Sequence, residues 1–293
     1  MTGMYVHATS SFICEPIDDL NGLKEDLKKY TDYFFRRINK FILLSLRGVH
    51  QCIHKRNLDT SIAVYLTTEN GNLGDTETVL HQLYMENSFP KPFNFINTMS
   101  NTASFYVAQS LKSLGRSITV SSKNISFERG LELAKVDFEL KHIKEALVGG
   151  VDEATTSRHE HTKKYGESNH SVKLVEGSSW LYLKAEKEGA LGEILSIMTF
   201  NSRDDALHHV KSLIASGPMV ISFGILMTPP EKNIWRKECA PAEEFDYLSS
   251  YGYYDTAASF AVCKFFEVYA GKLFVHINKN IQGQYVAVAC KSY

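Results

Sequence analysis

Paired cysteine motifs, long apolar runs and an excess of either charge are all missing from this sequence, and each absence closes off a class of function. Net charge is -1 over 293 residues, so no basic face for nucleic acid is expected. The apolar run from Phe41 to Leu44 is far too short to cross a membrane. The opening stretch MTGMYVHATSSFICEP lacks a basic start and a long apolar core, so no signal peptide is read. Five cysteines (Cys14, Cys52, Cys239, Cys263 and Cys290) stand without CxxC spacing. An odd, scattered set predicts free thiols in a reducing compartment. The expectation is a cytoplasmic protein that engages neither nucleic acid nor membrane. No linker rich in Pro, Gly or Ser divides the chain, so residues 1–293 are read as one domain.

What is present is 44% hydrophobic residues, enough for a sizeable core, arranged in alternating strand and helix patterns. The stretch Ser117 to Glu153 organises the rest. Ile118 and Val120 mark a short strand. Phe127, Leu131, Ala134, Phe138 and Leu140 then recur at helical spacing. Ala146, Leu147 and Val148 form a second strand that the pair Gly149-Gly150 is expected to end in a tight turn. Strand, buried helix, strand is a parallel βαβ unit.

Around it, Met4 to Thr9, Ser61 to Thr67, Glu176 to Leu183, Glu193 to Phe200 and Met219 to Gly224 read as strands. The third and fourth are expected to pair through a turn at Glu188-Gly189. Thr31 to His54, Asp75 to Glu86, Asn97 to Leu114 and Arg203 to Ser216 read as helices, and Phe89 to Phe93 as a Pro-punctuated loop. Near the end, the Ala-rich helix Thr256 to Ala270 precedes strands Lys272 to Ile277 and Tyr285 to Cys290. Two βαβ-rich halves, about 1–175 and 176–293, each with a buried central helix, predict a layered α/β/α/β/α arrangement. His159, Glu160, His161 and His170 fall in a polar run from Thr155 to Lys173. Their spacing does not put two histidines on one helical face, so the run is read as a solvated loop. No metal and no cofactor is expected.

The junction Ser121-Ser122-Lys123-Asn124 carries the functional question. A residue at a sharp strand-to-helix turn sits at the positive end of a helix. A cysteine there has a lowered pKa and attacks acyl groups. The context resembles the β-ketoacyl synthases of the thiolase superfamily, whose run at this turn is Thr-Ala-Cys-Ala-Ser-like. The resemblance covers Met4 to Ser292 and is clearest over Phe93 to Thr155 and Gly252 to Cys290. It implies the thiolase-like fold with two pseudo-symmetric halves, truncated between Thr199 and Ser250 relative to full ketosynthases.

Matching Ser126 and Ala134 to the family's small residues puts its cysteine on Asn124, or on Lys123 after a slip of one. No cysteine lies between Cys52 and Cys239. The family's first histidine falls on Phe223, in Ser222-Phe223-Gly224. Its second falls on Tyr253, in Gly252-Tyr253-Tyr254, and its lysine near Leu248. Phenylalanine donates no hydrogen bond, and an amide is no acyl-holding nucleophile.

A chain of this superfamily that keeps the core and loses the nucleophile resembles a chain-length factor. That implies a non-catalytic subunit of type II polyketide or aryl polyene synthesis, with a catalytic β-ketoacyl synthase as heterodimer partner and an acyl carrier protein reached through the pair. Met99, Phe105 and Tyr106 become candidates for the acyl-cavity wall. The family pairs through the strand before the nucleophile, so Ile118, Thr119, Val120 and Ser121 become candidates for the interface. Two other readings stay open: an acyltransferase or hydrolase using Ser122 or Ser104, and a homodimeric protein that binds an acyl chain or acyl carrier without chemistry.

Overall fold

The structure is a computed structural model that describes residues 3–16, 19–33, 35–36, 38–154, 172–214 and 217–293. The histidine-bearing run 155–171 and Phe34 lie outside the described residues. The strands are β1 (Tyr5–Cys14), β2 (Ala63–Thr67), β3 (Ser117–Val120), β4 (Glu145–Asp152) and β5 (Glu176–Lys184), then β6 (Gly192–Phe200), β7 (Met219–Phe223), β8 (Glu243–Glu244), β9 (Leu273–Lys279) and β10 (Tyr285–Ser292). They form one sheet in the order β3-β2-β4-β5-β1-β6-β10-β9-β7-β8. Read outward from the centre, each half repeats one plan. A first strand pairs antiparallel with the fifth, the fifth with the fourth, and the fourth, second and third run parallel. The halves join where Tyr5 and Val6 pair with Glu193 and Gly192.

This order corrects two expectations. β5 and β6 do not pair with each other, because β1 lies between them. β5 completes the first half, so the second begins at β6 rather than at Glu176. Gly149 and Gly150 do not turn the chain either. They sit inside β4, where a Cβ on Gly149 would stand 2.1 Å from the Trp180 ring and one on Gly150 would stand 2.4 Å from Ser259 Oγ. Close packing, not a turn, requires glycine there.

Three apolar clusters fill three helical layers. The first lies against α1 (Leu20–Leu27), α2 (Lys40–Cys52) and α5 (Asn101–Ser110), around Phe41, Leu44, Val107 and Trp180. The last lies against α7 (Arg203–Ile214) and α8 (Pro229–Glu238), around Val210 and Trp235. Between them the central cluster takes residues from both halves, and it encloses α6 (Ser126–Glu139) and α10 (Ala258–Val268). The helical spacing of Phe127, Leu131, Ala134 and Phe138 holds, since all four are fully buried. Leu140 instead caps the C-terminal end of α6 and is exposed.

Helix ends differ from expectation for local reasons. α2 starts at Lys40, not Thr31, because the Asn39 side chain accepts the Ile42 N–H at 2.8 Å and so caps it. The Pro-punctuated loop turns into a short helix, α4 (Pro92–Asn97), with proline in the first turn, where its missing N–H costs nothing. α3 (Leu73–Tyr84) precedes it, and a short α9 (Tyr247–Tyr251) precedes α10. α8 was not foreseen, although its Thr228-x-x-Glu231 capping box is written in the sequence.

Replacing Gly149 by Ala should destabilise the protein by about 1–3 kcal/mol, since the Trp180 ring must move. Replacing Gly22, in α1 with open space around it, by Ala should stabilise it by about 0.5–1 kcal/mol. Urea unfolding midpoints of the two variants check both signs.

Candidate functional site

Between β3 and α6 the chain makes a sharp elbow. Lys123 and Asn124 both take left-handed backbone angles, with φ of 29° and 55°. Asparagine tolerates that region better than most side chains, and lysine has no such advantage, so the surroundings must hold the turn. The holds are explicit. The Asn124 N–H donates to Glu69 Oε2 at 2.7 Å, and Ser126 Oγ reaches the same oxygen at 3.5 Å. Ser121 Oγ donates to the Glu69 carbonyl at 2.9 Å, and the Ser122 N–H donates to Ser126 Oγ at 2.9 Å. On the other side, Asn278 Nδ2 donates to the Asn124 carbonyl at 2.7 Å. The backbone N–H two residues before α6, beside the place where developing negative charge would be received, is therefore taken by the protein's own Glu69 carboxylate.

The matched positions have distinct surroundings. Asn124 is buried inside the elbow. Lys123 is exposed. Tyr253 is buried and donates to Asp255 Oδ1 at 3.1 Å, while Asn70 Nδ2 donates to Asp255 Oδ2 at 2.7 Å. Beside this pair, Asp152 accepts from Thr68 Oγ1, Thr256 Oγ1 and the Glu69 N–H at 2.7, 2.7 and 2.9 Å. Burial, with the neighbouring Asp255 carboxylate, pushes the Asp152 carboxyl upward. Tyr253 is thus joined to the Glu69 loop through Asp255 and Asn70.

Phe223 is a correction. Side chains alternate along β7, so Met219, Ile221 and Phe223 face the outer cluster with Trp235. The inward residue is Ser222, buried and opposite His276 of β9. Leu248 is buried in the central cluster.

The two serines have no base. Ser104, on α5, donates to the Asn101 carbonyl and accepts from Thr119 Oγ1, each at 2.9 Å. No histidine hydrogen-bonds to Ser104 or Ser122 among the described residues. The candidate wall residues split: Met99 and Phe105 are exposed, and Tyr106 packs against the outer cluster behind α5. Ile118, Thr119 and Val120 lie on β3, the edge of the sheet, and are half-buried, with Ser121 exposed just beyond.

Sequence reasoning missed a polar group beneath the elbow. Glu128, one turn into α6, accepts from Asn278 Nδ2 at 2.8 Å. His276 Nδ1 stands 3.7 Å from Glu128 Oε1, and Tyr247 OH lies 3.1 Å from His276 Nε2. Burial pushes Glu128 up to about 7 and His276 down to about 3. The signal was available: His276 interrupts the apolar strand LFVHINK, and Glu128 lies three residues before Leu131, on the buried stripe of α6.

All five cysteines are free, and four are buried. Burial pushes Cys14 and Cys52 up to about 12 and Cys239 up to about 11, and raises Cys263 and Cys290 as well. Such thiols are poor nucleophiles. Native protein treated with iodoacetamide at pH 7.5 should gain little mass within minutes, and five adducts once unfolded; rapid labelling of one native cysteine would reveal an activated thiol.

No protein-family model and no curated protein matches the sequence. Solved structures do match in fold. The ishigamide ketosynthase/chain length factor superposes with a TM-score of 0.74 at 15% identity, covering 99% of this chain and 99% of that one. AntDE:AntF, a type II polyketide synthase acyl-carrier protein in complex with its ketosynthase bound to the hexaketide, gives 0.73 at 13%, covering 100% of each. The PfaC ketosynthase–chain length factor gives 0.73 at 12%, covering 99% of this chain and 43% of that one. This chain therefore has the thiolase-like fold that ketosynthases and chain-length factors share.

Proposed function

We propose that this chain is a non-catalytic ketosynthase-like subunit, a chain-length factor, that pairs with a catalytic β-ketoacyl synthase in type II polyketide or aryl polyene synthesis. The observation that carries the proposal is the elbow. Condensation needs a thiolate to hold the acyl chain and donors to stabilise the charge formed as carbon dioxide leaves. Here the turn carries an asparagine, the backbone donor at that residue is spent on Glu69 Oε2, and among the described residues no histidine hydrogen-bonds to Ser104 or Ser122. A carboxylate at the helix terminus repels the anion that the reaction would generate.

The surface supports a partner. β3 ends the sheet with unpaired backbone groups on its outer side, a liability that native chains cover. α5 packs beside it and α3 packs on α4. These helices and the turn between α4 and α5 expose large apolar side chains, among them Tyr84, Phe95, Met99 and Phe105, and Leu114 is 88% exposed just before β3. Exposed apolar side chains in such number suit an interface. A heterodimer through this face buries the edge and brings Met99 and Phe105 against the partner. In this arrangement the two side chains serve contact with the neighbour rather than the chain's own cavity. An acyl carrier protein is then reached through the pair.

Co-expression with ketosynthases of the same genome, followed by native mass spectrometry and a malonyl-carrier condensation assay, tests the proposal. An equimolar complex that condenses only with both chains present, and still condenses within about twofold after Asn124→Ala, is the expected outcome. Phe105→Asp, on an exposed position, should leave the circular dichroism spectrum unchanged and weaken the complex by roughly 30-fold or more, the scale of a lost aromatic hot spot. A stable homodimer indifferent to ketosynthases would overturn the heterodimer.

A further inference from the structure

Four buried polar atoms without a hydrogen-bond partner occur in one cluster: Asn124 Nδ2, Glu128 Oε2, Ser222 Oγ and His276 Nδ1. Their proximity follows from the contacts around them. Asn278 Nδ2 spends one hydrogen on the Asn124 carbonyl and the other on Glu128 Oε1, at 2.7 and 2.8 Å. Its Oδ1 accepts the Lys279 N–H at 2.9 Å, so the amide is fixed at both ends. His276 Nδ1 stands 3.7 Å from Glu128 Oε1, and Ser222 is the cross-strand partner of His276. The cluster joins α6 of the first half to β7 and β9 of the second. Glu128 and His276 are 1% and 0% exposed. Unmatched polar atoms at this depth are costly, and the other two among the described residues, Gln82 Oε1 and Trp235 Nε1, stand elsewhere on α3 and α8.

We propose that Glu128 and His276 form a buried, proton-responsive pair that governs how tightly the elbow at Lys123–Asn124 is held. With Glu128 protonated the cluster is neutral. The carboxyl then has a hydrogen to offer, and neutral His276 has a ring nitrogen to accept one. Loss of that proton to solvent leaves a carboxylate in the dry central layer. Its Oε2 has no donor, and the unpartnered donors of the cluster are Asn124 Nδ2 and the Ser222 hydroxyl, of which the amide belongs to the elbow. Bringing that amide to Glu128 disturbs a residue whose backbone is already left-handed.

The charge also adds to that of Glu69, which holds the Asn124 N–H on the opposite side. The titratable groups facing Glu128 are Arg129 on its own helix, Glu69 from the loop after β2, His276 from β9 and Tyr247 from α9. Arg129 favours the carboxylate and Glu69 opposes it, while burial outweighs both and pushes Glu128 up to about 7. Burial holds His276 down to about 3, so it stays neutral through the neutral range.

The sign follows from linkage. Glu128 binds its proton more tightly when buried than when the elbow opens, so opening becomes easier as pH rises from the ordinary value of 4.5 to about 7, and no further above that. Two measurements on the full chain test this. Because Asp152 is also a buried carboxyl held upward, the band is read as the wild-type minus Glu128→Gln infrared difference. It should show a protonated-carboxyl component that is present at pH 5 and vanishes with a midpoint near 7. Amide hydrogen exchange of residues 121–126, corrected for intrinsic rates, should lose protection by up to tenfold per pH unit between about 4.5 and 7, then level off. In Glu128→Gln that protection should not vary with pH. If Glu128→Gln does not fold, the wild-type carries the test alone, because the component that vanishes near 7 and the levelling of protection must share one pH. A missing component at pH 5, or one that titrates while elbow protection stays flat, overturns the proposal.

Discussion

The hydrogen bond from the Asn124 backbone to the Glu69 carboxylate is the constraint on which the site depends. It sets a charge from within the chain beside the N-terminus of the central helix, and it keeps two non-glycine residues in the left-handed region where they would not stay unaided. From Glu69 the hold passes in two directions. One runs through the loop to Asn70, Asp255 and Tyr253, and the other through Asn124 and Asn278 to Glu128 and His276. Both routes end on residues of the second half. The elbow is therefore one of the places where the two repeats are tied together by polar contacts, Thr256 on Asp152 being another, over a central apolar layer to which both contribute.

The fold and the elbow make separate demands on the chain. The layered architecture rests on apolar positions in α6, α10 and the strands beneath them, and none of these needs a nucleophile. A cysteine at the elbow requires an open helix terminus and a nearby acid or base. An asparagine requires only that its backbone be gripped, and the grip uses the donor that a reacting oxygen would need. The asparagine at the turn and the Glu69 carboxylate on its backbone N–H are parts of one arrangement. The surface is consistent with it: an uncovered edge strand beside an apolar helical face suits a subunit that works against a neighbour.

Much of this was legible in the sequence, and the failures have physical causes. The βαβ unit around α6 and the two repeated halves follow from periodicity, because burial on one face leaves a pattern of 3.6 or 2. Gly149-Gly150 was misread because a glycine needed for close approach looks like one needed for a turn, and only the Trp180 ring tells them apart. Phe223 was misplaced because a match by neighbouring glycine ignores strand alternation, which turns Ser222 inward instead. The pairing of β1 between β5 and β6 is a long-range fact with no local signature. Glu69 could not be found by motif, since its role depends on a loop reaching an elbow more than fifty residues away.

The central claim is that the elbow holds itself and therefore holds no acyl group. The most direct test is the intact mass of the chain, alone and in complex with a ketosynthase, after incubation with acyl-loaded carrier protein. The account predicts that this chain's mass is unchanged while the partner acquires the acyl group. A stoichiometric acyl adduct on this chain, lost in Ser122→Ala or Lys123→Ala, would contradict it and make the chain an enzyme.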